Sequence, residues 1–176
     1  LHEQTAQAIE ARYHERLDDH YSDLAHHYTR SGNTQKAVEY LSLAGQQAVQ
    51  RSANVEAINH LTAALELLKT LSDTPDRVQQ ELALQLTLGV PFQILKGHAA
   101  PEVGETYNRV LELCGQVGET SHLFPALFGL WRFYLLRPDA QKAHELAERM
   151  MRLAQNSHDP ALLLEAHQAL GTSLFW

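Results

Sequence analysis

The sequence predicts an all-α fold of about eight to nine helices, arranged as consecutive antiparallel hairpins. Apolar residues recur at three- and four-residue steps through most of the 176 residues, which is the spacing of amphipathic helices. Short clusters rich in Gly, Asn, Asp, Ser and Pro separate these segments, as is typical of turns between helices. A small–large–small pattern recurs after 20 residues, as Ala37, Leu41, Ala44 and again as Ala57, Leu61, Ala64.

The first predicted helix covers residues 1–17, and the second covers residues 21–28. Both carry apolar residues that are spaced to share a single helix face. Gly32 and Asn33 should end the second helix, and we expect the Thr34 side chain to cap the third. The second and third helices would therefore form a hairpin with a tight turn.

The third, fourth and fifth helices are predicted over residues 34–51, 55–71 and 80–95. Because 20 residues is shorter than a two-helix unit of about 34, we expect the third helix to pack on both of its neighbours. Leucines at alternate positions in the fifth segment fit a strand by period, but helix-forming residues dominate it and no hairpin turn flanks it. We therefore expect a helix that is buried on more than one face. Pro91 should kink or end this helix, since its ring removes one backbone hydrogen bond.

The second half of the chain continues in the same way. Helices are predicted over residues 102–117, 123–136 and 140–155, followed by a last helix that contains Leu170. Gly118 is the expected C-terminal stop of the first of these, because glycine adopts a left-handed conformation without strain.

Three helices share a further signature, a large–small pair followed three residues later by a large residue. Three copies at uneven spacing favour an irregular array of helical repeats over a four-helix bundle. The last copy has no second helix after it, so we expect further repeats to cover the end of the chain in a longer parent protein. The three copies are Leu24-Ala25-x-x-Tyr28, Leu88-Gly89-x-x-Phe92 and Leu170-Gly171-x-x-Leu174, and the uncovered end is Leu174, Phe175 and Trp176.

Composition argues against several classes of function. The net charge is −7 and no basic run occurs, whereas a protein that binds nucleic acid or an anionic membrane is expected to carry a basic patch. Cys114 is the only cysteine, which excludes an internal disulfide framework and a thiolate metal cluster. A reducing cytoplasmic location fits best, with no nucleic-acid or membrane partner.

Few residues carry a chemical motif. Phosphate loops, serine-nucleophile elbows and paired zinc histidines do not occur in the sequence. His20, Asp23 and His27 share a helix face and could approach a metal, but a solvated polar face is the better interpretation. We expect no catalytic residue, no cofactor and no metal, so this segment is predicted not to be an enzyme. The aromatic residues Phe133 and Tyr134, with Trp131, fit either a binding platform or, as we prefer, burial between helices.

Function is then expected to come from the shape of the stacked hairpins. In such arrays the first helix of each hairpin lines the inner surface, where partners bind. In the first hairpin, the polar positions on that surface are the candidate partner contacts. They are Ser22, His26, Thr29 and Arg30.

The hairpin over residues 21–44 resembles the tetratricopeptide repeat, in its large-x-x-large-small-x-x-large first helix and its Ala-x-x-x-large-x-x-Ala second helix. This resemblance implies a right-handed α-solenoid of antiparallel helix hairpins. Some repeat proteins of this class hold the terminal carboxylate of a peptide with lysines and asparagines. The matching positions here hold Ser22 and His26, so the resemblance does not extend to that activity.

Several segments together resemble the C-terminal repeat region of bacterial signalling ATPases, many of which also carry an adenylate/guanylate cyclase domain. The resemblance implies that residues 1–17 link an ATPase module to a repeat domain over residues 18–176 that is truncated at its C-terminus. The implied partner is a protein or peptide, for which the parent's own ATPase module is one candidate. The alternative is a regulatory domain that senses a small molecule. The matching segments are 1–3, 8–10, 31–49, 97–103, 130–137 and 162–175.

Overall fold

The computed structural model describes residues 1–118, 120–137 and 139–174, and these residues are entirely helical apart from short connections. The predicted all-α class is confirmed, since the described ranges contain nine α-helices, one short 3₁₀ turn and no strand. The chain divides into a first unit, Leu1–Pro91, and a second unit, Phe92–Trp176. The helices are α1 (His2–Arg12), α2 (Tyr21–Ser31), α3 (Thr34–Gln50), α4 (Asn54–Leu68), α5 (Pro75–Lys96), α6 (Pro101–Val117), α7 (Leu123–Leu135), α8 (Ala140–Ser157) and α9 (Pro160–Ser173).

In the first unit, α1, α2 and α3 each pack against the next helix in the chain. As predicted, α3 serves two neighbours, α2 and α4. Gly32 ends α2 with a φ of 80°, a left-handed conformation that suits glycine. The cap of α3 differs from the prediction: Asn33 precedes the helix and its side chain accepts a hydrogen bond from the Lys36 backbone N–H at 3.2 Å. Thr34 is instead the first helical residue.

Small residues bring α3 and α4 into close contact. Ala44 and Ala64 are buried on the two helices, and Leu61 is fully buried beside them. A Cβ atom built on Gly45 would lie 2.6 Å from the Leu61 side chain, so only glycine fits at this point of α3. The recurrent small–large–small pattern therefore lies at a close helix contact, where small side chains leave room for the large side chain of the neighbouring helix.

Helices α1 and α5 differ most from their predicted bounds. Helix α1 ends at Arg12 and not at residue 17, and a 3₁₀ turn over Leu17–His20 leads into α2. Helix α5 is longer than predicted: it begins at Pro75, where the Thr74 hydroxyl accepts from the Arg77 N–H, and continues past Pro91 to Lys96. Proline inside a helix costs about 3 kcal/mol. Burial of apolar side chains offsets this cost, since Pro91 and three leucines of α5, Leu82, Leu84 and Leu88, are buried.

In the second unit, α6, α7, α8 and α9 also pack in chain order. Gly118 ends α6 at a φ of 69°, as predicted. The indole N–H of Trp131 donates to the Ser173 hydroxyl at 2.9 Å, which ties α7 to α9 in the interior. Leu174 is 73% exposed, whereas the other two residues predicted to need a covering helix, Phe175 and Trp176, lie outside the described ranges.

None of the helices in the described ranges combines the length and the apolar character needed to cross a membrane.

Candidate functional site

The four predicted partner contacts all lie on α2 and are all exposed; we call them the contact face, Ser22, His26, Thr29 and Arg30. Three apolar side chains of the same helix, Leu24, Ala25 and Tyr28, are almost completely buried. Helix α2 is therefore strongly amphipathic, with one side in the core of the first unit and the contact face toward solvent.

The contact face borders a cluster of imidazoles. The His2 Nδ1 atom of α1 lies 3.0 Å from the His27 Nδ1 atom, so one of these nitrogens must donate and the other accept. The His26 ring centroid lies 6.2 Å from that of His2 and 5.4 Å from that of His27. Partial burial and then the nearby His27 and Arg30 lower the pKa of His2. The neutral form of His2 is consequently favoured in this position.

His20, which shares a predicted helix face with Asp23, pairs with the Asp23 carboxylate. The His20 Nδ1 atom lies 3.3 Å from a carboxylate oxygen of Asp23, in the geometry of a surface pair one helical turn apart. Within the described ranges, no three His, Cys, Asp or Glu side chains converge in a way that could hold a metal ion.

A carboxylate on α1 holds the buried side of α2 in place. The Tyr28 and Tyr40 hydroxyls donate to the two oxygens of Glu10 at 2.8 and 2.5 Å, and the Lys36 ammonium lies 3.4 Å from it. The two tyrosine rings stack with centroids 5.5 Å apart. Burial would raise the pKa of Glu10, but the hydrogen bonds from Tyr40 and Tyr28 and the charge of Lys36 lower it. We call these four residues the Glu10 network.

The second unit contains a wide cleft of about 700 Å³, which we call the charged cleft. Helix α6 supplies one wall, while the end of α7 and the start of α8 supply the other. Phe133 packs against Gly104, where an added Cβ atom would lie 2.6 Å from the ring, so the glycine lets α6 and α7 approach. The lining residues are Pro101, Gly104, Glu105, Asn108, Phe133, Tyr134, Arg137, Asp139 and Lys142.

Two charges of the charged cleft neutralise each other. The Lys142 ammonium lies 3.1 Å from the Asp139 carboxylate and 5.1 Å from the Tyr134 ring centroid. The hydrogen bond and charge of Asp139 raise the pKa of Lys142. Asp139 also caps α8 by accepting from the Lys142 backbone N–H. Arg137 differs, because its guanidinium lies 4.5 Å above the Phe133 ring with no carboxylate partner among the described residues.

A smaller groove of about 440 Å³ lies between α3 and α5 of the first unit, and we call it the α3–α5 groove. Its wall includes the buried Val38 and Leu84, with the exposed Ala83 at its edge. Leu43 and polar groups from α3 and α5 complete the lining. The remaining lining residues are Gln35, Glu39, Ser42, Leu43 and Gln80.

Sequence reasoning found the aromatic residues of the charged cleft but missed its polar ones. Trp131 and Phe133 are buried, as preferred from the sequence, and Tyr134 is half-buried at the cleft. Glu105 and Arg137 belong to no motif, and 32 residues separate them in the chain (137 minus 105). Gly104 is the sequence signal that could have indicated the cleft, because a glycine on the apolar side of a helix marks a point where another helix can approach closely.

No protein-family model matches this chain. It is 25% identical, over 149 residues, to an uncharacterized protein of Rhizobium meliloti (strain 1021); the match covers 84% of this chain and 14% of the length of that protein. The crystal structure of BtubC (BKLC) from P. vanneervenii is similar with a TM-score of 0.65 and 18% identity, over 97% of this chain and 78% of that one. This similarity establishes a shared helical fold.

Proposed function

We propose that this chain is a non-catalytic helical repeat scaffold that binds a protein or peptide. Its hairpins belong to a right-handed solenoid of the tetratricopeptide type. The recurring large–small signatures support this proposal, and so does the packing of consecutive helices from α1 to α4 and from α6 to α9.

The observation that carries the proposal is the amphipathic construction of α2. Its contact face is exposed and polar, while Tyr28 on the opposite side is fixed by the hydrogen bond to Glu10. A helix that is held by its buried side presents exposed side chains in one fixed arrangement, which lowers the entropic cost of binding.

The chain matches 14% of the length of its curated relative, and we place it within a similarly long signalling ATPase. In this proposal, residues 1–17 link the ATPase module to a repeat domain over residues 18–176. The parent's own ATPase module is the candidate partner, and binding to the contact face regulates ATP hydrolysis. The location is cytoplasmic, and no nucleic acid or membrane takes part.

The test measures ATP hydrolysis by the full-length parent protein. Reversing the charge of the contact face with Arg30→Glu should change the hydrolysis rate, and a photo-crosslinker placed at His26 should yield a product with the ATPase module. Arg51→Glu is the matched control, because Arg51 is an exposed arginine of the same unit outside the contact face. An unchanged rate in Arg30→Glu, together with no crosslink from His26, would overturn the proposal.

A second candidate function is small-molecule sensing, which the α3–α5 groove favours. Its volume of about 440 Å³ lies within the range of small-molecule sites, and Val38 and Leu84 give it an apolar wall. A metabolite that binds there should raise the melting temperature of the chain. Filling the groove with Ala83→Trp should remove that rise, whereas a rise that persists in this variant would place the ligand elsewhere.

A further inference from the structure

We propose that the charged cleft binds a peptide segment that carries one acidic and one basic side chain. The acidic side chain pairs with Arg137, and the basic one pairs with Glu105. This inference rests on the proposed binding function and names a second surface for it, together with the chemistry of its partner.

Close packing of α6 against α7 shapes the charged cleft. Gly104 admits the Phe133 ring beneath the first turn of α6, and Gly129 admits the Tyr107 ring, whose atoms would lie 2.5 Å from an added Cβ. These two contacts fix the distance between α6 and α7. The resulting volume of about 700 Å³ falls within the range of ligand sites.

Arg137 is prepared to receive a carboxylate. Its guanidinium face rests on the Phe133 ring at 4.5 Å, which leaves the N–H groups at the edge of the plane. Those donors match the two oxygens of a carboxylate in a bidentate pair. The acidic residue nearest in sequence, Asp139, is already occupied by the Lys142 ammonium and by the α8 cap.

Glu105 provides the opposite charge on the α6 wall. It is exposed, and within the described ranges it makes no ion pair with Arg137, Lys142 or any other cation. An acidic ligand alone would meet repulsion from Glu105, and a basic ligand alone would meet repulsion from Arg137. A partner with both charges satisfies both residues, so charge complementarity selects it.

The remaining polar groups suit the backbone of a peptide. The Asn108 side-chain amide donates to the Gly104 carbonyl at 2.8 Å, which leaves its Oδ1 atom as an acceptor for a peptide N–H. Tyr134 is half-buried at the same cleft, and its hydroxyl can donate to a peptide carbonyl. An extended segment would thus be held by its backbone between two charge contacts.

The experiment uses capped synthetic peptides with one Glu and one Lys, one to five residues apart in an Ala-Ser host, and measures binding by fluorescence polarisation. Companion peptides replace the Glu, the Lys or both by Gln. The chain should bind the best Glu/Lys peptide at least about tenfold more tightly than the doubly substituted one, since each pair is a charge-assisted hydrogen bond. Arg137→Gln should remove the preference for Glu over Gln in the peptide and keep the preference for Lys. Glu105→Gln should remove the preference for Lys over Gln and keep the preference for Glu.

The matched controls are Arg149→Gln and Glu145→Gln, which change exposed charges of α8 outside the charged cleft. Both controls should keep the two preferences. Equal binding of all four peptides, or preferences that survive Arg137→Gln and Glu105→Gln, would overturn this proposal. Neither result affects the contact face of α2, whose ATP-hydrolysis test is read independently.

Discussion

Glu10 in the first unit differs from Glu105 and Arg137 in the second unit in how its charge is used. In Leu1–Pro91, the Glu10 carboxylate receives hydrogen bonds from Tyr28 and Tyr40 and is paired with Lys36. In Phe92–Trp176, Arg137 and Glu105 line one cleft with no charged partner among the described residues. A satisfied charge holds helices together, whereas an exposed and unsatisfied charge costs little in the free chain and remains available to a partner.

This contrast distinguishes residues that are expected to stabilise the fold from residues that are expected to bind a partner, and it does so without any sequence motif. Half-buried polar groups whose partners come from other helices, as in the Glu10 network, are expected to matter for folding. Exposed charges at a shaped cleft are expected to matter for binding and little for folding. The predictions below test that separation, beginning with the largest expected effect.

The first prediction concerns the glycine that shapes the charged cleft. Gly104→Ala should lower the free energy of unfolding by about 1–3 kcal/mol, because the new Cβ atom would overlap the buried Phe133 ring. Gly115→Ala is the control: nothing lies within 4 Å of its added Cβ atom, so it should stabilise α6 by about 0.5–1 kcal/mol. Urea unfolding followed by tryptophan fluorescence measures both. Equal effects would show that the close approach of α6 and α7 is not fixed at Gly104.

The second prediction compares two carboxylates. Glu10→Gln should lower the free energy of unfolding by about 1–3 kcal/mol, since it weakens hydrogen bonds to a charged group that is three-quarters buried. Glu105→Gln should change the stability by less than about 0.5 kcal/mol. Urea unfolding followed by far-ultraviolet circular dichroism reports both variants. A cost for Glu105→Gln as large as that for Glu10→Gln would remove the distinction between the two units.

The third prediction is a pH dependence. The pKa of Glu10 is lowered in the fold, so its stabilising effect is present above its ordinary value of 4.5 and is lost as the pH falls through the folded value. Burial and the Glu10 carboxylate raise the pKa of Tyr28 and Tyr40, so their contribution is present below the ordinary value of 10.0 and is lost at higher pH.

Glu10→Gln should therefore flatten the acid limb of the stability profile, and Tyr40→Phe should flatten the alkaline limb. Thermal unfolding across the pH range measures both. Profiles that keep the wild-type shape in these variants would show that other groups control the pH dependence.

The sequence predicted most of the local structure but did not predict the cleft. Helix class, the left-handed stops at Gly32 and Gly118 and the double use of α3 follow from periodicity and turn chemistry, which act over a few residues. The sequence left open whether Pro91 kinks or ends α5, and the helix continues to Lys96 because burial of distant side chains offsets the local cost of proline. Likewise, Glu105 and Arg137 line the same cleft only because α6 packs on α7, which no local sequence pattern encodes.

The last prediction has the smallest effect and concerns the cap that the sequence assigned to the wrong residue. The Asn33 side chain accepts from the Lys36 backbone N–H and donates to the Glu3 carboxylate at 2.9 Å, so it links α1 to α3. Asn33→Ala should destabilise the chain by about 1 kcal/mol, and Thr34→Ala should be close to neutral, because Thr34 is the first helical residue and caps nothing. Circular dichroism during urea unfolding compares the two, and a larger loss in Thr34→Ala would return the cap to the residue first predicted. Asn33 is therefore expected to stabilise the fold as Glu10 does, through hydrogen-bond partners that lie within the first unit.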